Sequence, residues 1–553
     1  MIESTVTATA PPFSFNLWRE PWIRVTRLDG QAAELGIGAC LAEAHMLYAL
    51  HDPSPLVVAG IHRLLTAILQ AIYAPESLDE IEDLLTAEHF DPARLDAFAA
   101  QYAERFDLFH PTAPFLQTGD VPLDGWRKPE KAKKGESQKT GIAWVEPKPV
   151  APLFAEVPGT TYRAHFHHIT DEDHRMCPAC CARGLVTIPA FASSGGAGIR
   201  PSINGIPPIY VLPAAKSLFQ SLALSLASPG YQPQTIDERR WESALWNCDT
   251  IIKRDGTMPA VGYLESLTFP ARRVRLYPHA GQERCTQCGA LSKITVRNML
   301  YEMGHHRDVS AGVWDDPFVA FRHPGKRGKR DPAELLPVRP QAGKALWREY
   351  TGLLLTSQDA EELRPKIIRQ IGRLIDRGLL NDMPFVLFRC IGLRTDGKAK
   401  VFEWLDEALE APPRLLVDPD GALVVEDALR RAGDAEQVLN FVFNLHFRPE
   451  REQGKQIKKD LVRFKTLRDR MQTTFWERLA PEFHQLIVAA ADPAQRTMEE
   501  RAWADSVVRI GGATFTEIAD QVGDRADALR ARVEAQAACR RQLYAKRKEW
   551  FGE

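Results

Sequence analysis

The chain has 553 residues, 44% of them hydrophobic and 26% charged, and a formal net charge of -2. That composition is ordinary for globular proteins and long enough for two or three domains. The balanced charge excludes a general polyanion binder, so any contact with nucleic acid has to come from local basic patches.

Residues 1–14 carry no basic n-region and no long apolar core, and they read as a disordered tail. No stretch approaches 18 consecutive apolar residues, which predicts no membrane span and a cytoplasmic chain. Trp22, Ile23 and Val25 favour strand, turned by Leu28-Asp29-Gly30. Residues 41–73 read as helical, with Pro53 and Ser54 marking the start of an apolar face from Leu56 to Ile72. Further helices are predicted over 78–87 and 92–106. The segment 106–117 holds two prolines and five bulky apolar residues, the pattern of a buried, fixed loop. Its His110 reads as a turn histidine or, less simply, as a functional one. Residues 121–160 form a basic loop, either solvated or closing over phosphates.

Residues 184–192 read as helix, 202–211 as a strand pair around Asn204-Gly205, and 214–228 as an amphipathic helix. Residues 267–277 alternate enough for a strand that carries Arg272, Arg273 and Arg275. Lys326-Arg327-Gly328-Lys329-Arg330 forms a basic turn. From about 345 strand signals fade. Beyond Pro412-Pro413 come four helical stretches, with one stripe including Leu423, Leu429 and Leu439 and another Leu461, Phe464 and Met471. The fold class expected is α+β: a mixed α/β domain over 15–410 and an antiparallel four-helix bundle over 411–553.

Nine cysteines is an odd number. Four fall in two knuckles, Cys177-Pro178-Ala179-Cys180 and Cys285-Thr286-Gln287-Cys288. Cys181 is adjacent, and Cys40, Cys248, Cys390 and Cys539 are scattered. This is a reducing-compartment pattern with a metal site. Cys177, Cys180, Cys285 and Cys288 are expected to share one structural zinc, because four thiolates fill a tetrahedron and leave no open position. The ion would draw residues 165–290 into one module. His167, His168, Asp171, Asp173 and His174 beside a knuckle also fit, superficially, a zinc-knuckle metal-dependent nuclease. Such sites need their histidine between closely spaced knuckles, and here the cluster precedes the first. No G-x-x-x-x-G-K-[ST] motif is present, which argues against ATP hydrolysis. Gly195-Gly196-Ala197-Gly198 is a turn whose backbone can approach a ligand closely. A zinc-stabilised RNA-binding scaffold is the third reading.

Taken in order, these residues resemble the CasA family, the large subunit of the type I-E CRISPR surveillance complex Cascade. The resemblance runs from Asn16-Leu17 and Pro21-Trp22-Ile23 through His62-Arg63-Leu64-Leu65, Phe106-Asp107-Leu108-Phe109 and Pro114-Phe115-Leu116-Gln117. It continues through the first knuckle, the glycine turn, Leu276 before the second knuckle, and the helical C-terminal region. It implies a subunit that is not an enzyme. Such a subunit binds double-stranded DNA at the protospacer-adjacent motif, helps open the duplex for R-loop formation, and recruits the helicase–nuclease. Guide RNA and the other Cascade subunits are the implied partners. Carried onto this chain, the DNA-contacting loop falls at Phe166, His167 and His168, and the minor-groove glycine loop at Gly195, Gly196 and Gly198. The minor-groove lysine falls among Lys326, Arg327, Lys329 and Arg330. The duplex wedge falls at Thr395, Asp396, Gly397 and Lys398, without the family's glutamine.

Overall fold

A computed structural model describes residues 13–121, 123, 147–155, 157, 174–193, 199–233, 246, 251–258, 260–308, 312–323, 335–355, 363–396, 400–449, 455–523 and 526–553. The first sheet has the order β2-β1-β3, built from β1 (Ile23–Arg27), β2 (Ala32–Leu35) and β3 (Leu47–Leu50), all antiparallel. Helix α1 (Ile37–Ala42) links β2 to β3. The expected helix over 41–73 is therefore broken. Residues 47–50 pair with β1, and helix resumes only where the Asp52 carboxylate accepts Ser54 N at 2.9 Å and Pro55 occupies the first turn.

Helix α2 (Pro55–Tyr73) is not amphipathic as expected but buried on every side from Pro55 to Gln70. By length and composition it matches a membrane span, yet 83% of its apolar window is covered by protein. Its polar residues are paired, as burial demands. Arg63 donates to Asp316 at 3.1 and 2.9 Å, and Gln70 exchanges two hydrogen bonds with Ala227. His62 Nε2 lies 2.8 Å from the Ser225 hydroxyl.

Helix α3 (Leu78–Ala87) is capped by Ser77, and α4 (Pro92–Tyr102) by Asp91. The 106–117 loop is buried at both ends as expected, with Phe106, Leu108 and Phe109 all at 0% exposure, but its tip at Pro111 and Thr112 is exposed. His110 Nδ1 accepts Ala113 N at 2.9 Å, a turn role. The short β4 (Lys148–Pro149) follows. Helices α5 (Pro178–Leu185) and α6 (Ile188–Phe191) then pack on α2, as do α7 (Leu218–Ala223) and α8 (Tyr263–Leu267). The expected hairpin over 202–211 is absent. Ser202 and Gly205 form a single bridge, Asn204 turns inward to Asp316 and Tyr210, and β5 (Ile209–Ala214) pairs elsewhere. The helix expected over 214–228 shrinks to α7.

Strand β6 (Gly256–Met258) pairs in parallel with β9 (His305–Arg307). Between them runs the longest hairpin, β7 (Arg272–Arg284) and β8 (Leu291–Met303), with β4 added on the far edge of β8. Small strands β10 (Phe321–Arg322) and β11 (Leu336–Pro337) pair with each other. Helices α9 (Tyr350–Leu354) and α10 (Lys366–Asp376) precede β12 (Val386–Thr395) and β13 (Val401–Ala411). The sheet order β13-β12-β5 corrects the expectation that strands end near 345.

The chain divides into two compact units. One is Met1–Pro340 with Pro365–Ile371 and Leu387–Ala408; the other is Gln341–Arg364 with Gly372–Val386 and Leu409–Glu553. The second holds α11 (Pro413–Val417) and four long helices: α12 (Pro419–Phe447), α13 (Lys455–Ala490), α14 (Arg496–Ala519) and α15 (Ala526–Phe551). Helix α12 packs on the other three, and α14 on α13 and α15. Leu439, Phe443, Phe475 and Trp503 lie in their core, but Leu423 and Leu461, expected on the apolar stripes, are 42% and 38% exposed. The fold is thus mixed α+β with a helical C-terminal region.

Candidate metal centre and nucleic-acid interface

Cys177 is the N-cap of α5, and Pro178 fills the first helical position, where a missing N–H costs nothing. One turn on, Cys180 points the same way. The second knuckle closes the β7–β8 hairpin. Cys285 N donates to the Ala290 carbonyl at 2.8 Å and Gly289 N to the Cys285 carbonyl at 2.9 Å. Gly289 sits at φ +74, a left-handed turn that suits glycine. Backbone contacts join the two knuckles. Thr286 N reaches the Arg175 carbonyl at 2.8 Å, and Met176 bridges Val296 on β8.

Together these elements place the Sγ atoms of Cys177, Cys180, Cys285 and Cys288 within 4.8 Å of one another, although the knuckles lie over a hundred residues apart in sequence. Cys177 and Cys288 Sγ are 3.8 Å apart. Zinc–sulfur bonds of about 2.3 Å set tetrahedral sulfurs roughly 3.8 Å apart, so the donor set fits a shared ion. Cys177, Cys180 and Cys285 are buried, and Cys288 is partly exposed. Cys288 is pulled down to about 6, first by its hydrogen bond with Cys177 and then by that with Cys180; Cys285 is lowered by the same two partners. Cys180 is pushed up, first by Cys177. Four clustered thiols thus compete over protons, and a shared cation relieves this by accepting all four as thiolates. Arg183, 2% exposed, adds a positive charge with Nη1 3.7 Å from Cys180 Sγ.

The other expected site residues meet the described structure less often. Phe166, His167 and His168, with Asp171 and Asp173, lie outside the described residues, as do Gly195, Gly196 and Gly198, Lys326, Arg327, Lys329 and Arg330, and Gly397 and Lys398. Thr395 ends β12, and Asp396 exchanges hydrogen bonds with Lys400 at 3.1 Å each way, pinning the flanks of the expected wedge. Arg394 pairs with Glu403 at 2.6 Å and lies over the Phe402 ring, bracing the same hairpin end. Sequence reasoning missed the Arg175–Thr286 bridge between the knuckles. It placed Arg272 on a strand but gave it no role.

This fold is shared with solved structures of CRISPR-associated proteins. Cse1 from Acidimicrobium ferrooxidans aligns over 98% of this chain and 100% of its own, with a TM-score of 0.74 and 22% identity. CasA from Thermus thermophilus aligns over 96% and 100%, with a TM-score of 0.71 and 22% identity. A chain of a CRISPR RNA-guided surveillance complex aligns over 96% and 100%, with a TM-score of 0.70 and 18% identity. In sequence, CRISPR-associated protein CasA/Cse1 of Thermus thermophilus is 29% identical over 440 residues, 77% of this chain and 76% of that protein. Residues 16–512 match the family described as CRISPR-associated protein Cse1, and the chain belongs to that family.

Proposed function

We propose that this chain is the non-catalytic large subunit of an RNA-guided type I-E Cascade complex in the cytoplasm, acting in antiviral defence. The observation that carries the reading is family membership across residues 16–512, supported by the likeness to a surveillance-complex chain. In this reading the subunit binds target duplex at the protospacer-adjacent motif. Gly195, Gly196 and Gly198 enter the minor groove, joined by one of Lys326, Arg327, Lys329 and Arg330. That groove separates mainly A·T from G·C, so a backbone and lysine reader there is tolerant. Phe166, His167 and His168 touch DNA and the neighbouring subunits. The turn Thr395–Lys398 wedges the duplex open, where stiffness matters more than one side chain, since unstacking costs about a few kcal/mol per step. Guide RNA supplies the remaining sequence specificity, the division of labour seen in RNA-guided effectors.

Cys177, Cys180, Cys285 and Cys288 would hold a zinc ion, which supplies folding energy and no open coordination position for chemistry. The reading divides the chain near residue 410, with α12 to α15 as an antiparallel four-helix bundle. The complex then recruits the helicase–nuclease to the opened target.

The test compares the assembled complex on target duplexes with and without the adjacent motif. Tighter binding to the motif-bearing duplex is expected, and Gly196→Leu should weaken it without unfolding the chain. Equal affinity for both duplexes would make the subunit a passive scaffold. Magnesium-dependent cleavage by the isolated chain, lost on changing His167 or His168, would make it a nuclease.

A further inference from the structure

The glycine segment of the proposed function lies outside the described residues, but both of its flanks lie within them. One side chain holds the two. Arg272, the first residue of β7 and 2% exposed, donates from Nη2 to the Ser193 carbonyl. From Nη1 it donates to the Arg200 carbonyl at 2.9 Å and to its neighbour's, Ala271, at 2.7 Å. Behind this fork the same neck closes again. Ser202 N donates to the Ala192 carbonyl at 2.8 Å, and the Ser202 hydroxyl to the Pro189 carbonyl at 2.5 Å. Arg200 N points to Met303 Sδ at 3.2 Å, and Met303 is the partner of Arg272 in the β7–β8 register.

A guanidinium is planar and carries its donors in a fixed fork. Two carbonyls bound to its two ends are therefore held at a set separation. A loop with pinned ends has fewer conformations to lose when it is ordered by a ligand. Held carbonyls also fix the positions of Ser193 and Arg200 relative to each other, which matters beside a minor groove about 6 Å wide. Burial leaves Arg272 no route to DNA itself.

We propose that Arg272 is a positioning residue for motif recognition, presetting the glycine segment by clamping Ser193 and Arg200. This rests on the reading that Gly195 to Gly198 meet the minor groove. The test assembles complexes from the unaltered chain and from Arg272→Ala, Arg272→Lys and Gly196→Leu chains. The probe is a duplex pool carrying the guide-complementary sequence beside a randomised tract, with bound duplexes sequenced. The thermal midpoint of each chain and its incorporation into the complex are measured alongside.

Arg272→Ala is expected to cut enrichment of the preferred motif about tenfold, with incorporation and midpoint close to those of the unaltered chain. Arg272→Lys, with one nitrogen in place of a fork, is expected to fall between. A purely structural arginine would lower midpoint or incorporation and leave the preference of assembled complexes intact. Unaltered preference in Arg272→Ala with flattened preference in Gly196→Leu overturns the clamp and leaves the glycine reading standing. Unaltered preference in both overturns the glycine reading and the clamp with it. Should Arg272→Ala fail to assemble, Arg272→Lys is read in its place, and unaltered preference there overturns the proposal.

Discussion

Arg63 and Asp316, 253 positions apart, meet in a two-pronged ion pair with side chains 1% and 0% exposed. Asn204 Nδ2 and Phe318 N complete the carboxylate's partners, and Arg63 also lies over the Tyr210 ring. Breaking one side of a buried pair strands the other charge, at a cost of about 3–5 kcal/mol. Arg63→Ala is expected to lose that much stability in urea unfolding. A loss under about 1 kcal/mol would mean that water reaches the site.

His62, the preceding residue, gives the acid limb of the stability curve. Burial first, then the charges of Arg63 and Arg389, hold its imidazole down to about 3. Its folded value lies below the unfolded one, so the unfolded chain takes up the proton first as pH falls. Stability is unaffected by this group above about 6.5 and drops by about 1.4 kcal/mol per pH unit below it, down to about 3. His62→Gln should flatten that slope between about pH 6 and 4 relative to the unaltered chain. Parallel curves would show that His62 protonates in the fold.

Two helix glycines should respond to alanine with opposite signs. A Cβ on Gly60 would lie 2.5 Å from the Val186 carbonyl oxygen, and backbone there cannot give way cheaply. Gly60→Ala is expected to cost about 1–3 kcal/mol, the usual range for overpacking. Gly433 in α12 has nothing within 4 Å of the added atom. Gly433→Ala should stabilise by about 0.5–1 kcal/mol through helix propensity. Stabilisation at Gly60 would contradict the packing described for α2, and destabilisation at Gly433 the open space at its surface.

Metal content tests the cysteine centre directly. The purified chain is expected to carry about one zinc, and Cys285→Ser to carry none and melt earlier. Unchanged zinc and midpoint in that variant would show that the four thiols serve no shared ion.

Much of this was legible in the residues. Ser77 and the spacing of Ile81 and Leu84 announce α3 at its observed limits. The four cysteines could be grouped across more than a hundred residues because thiolate pairs at C-x-x-C spacing have few other uses. Strand β13 was hidden. Its sequence, Val401-Phe-Glu-Trp-Leu-Asp-Glu-Ala-Leu-Glu-Ala411, is rich in good helix formers, and only pairing with β12 makes it extended. Strand β3 was lost in the same way, to its pairing with β1. Arg272 could be seen as one of three nearby arginines on a strand, but its partners are backbone carbonyls, which leave no mark on composition. The burial of α2 on all sides was likewise invisible, because the groups that satisfy Arg63 and Gln70 come from distant segments.

That distance has a consequence during synthesis. Helix α2, with a mean hydropathy of 1.6 over its apolar window, is made long before its cover. At roughly 5–20 residues per second, the 253 positions to Asp316 take roughly 13–50 s. For that time Arg63 lacks its partner, on a helix long and apolar enough to cross a membrane. The unpaired Arg63 near its middle costs about 2.5–3.5 kcal/mol on insertion and so disfavours that outcome. We therefore predict that Arg63→Leu diverts newly made chains to membranes, and a membrane fraction no larger than that of the unaltered chain would refute it. On this prediction, the charge that later locks the core first keeps the growing chain out of the lipid.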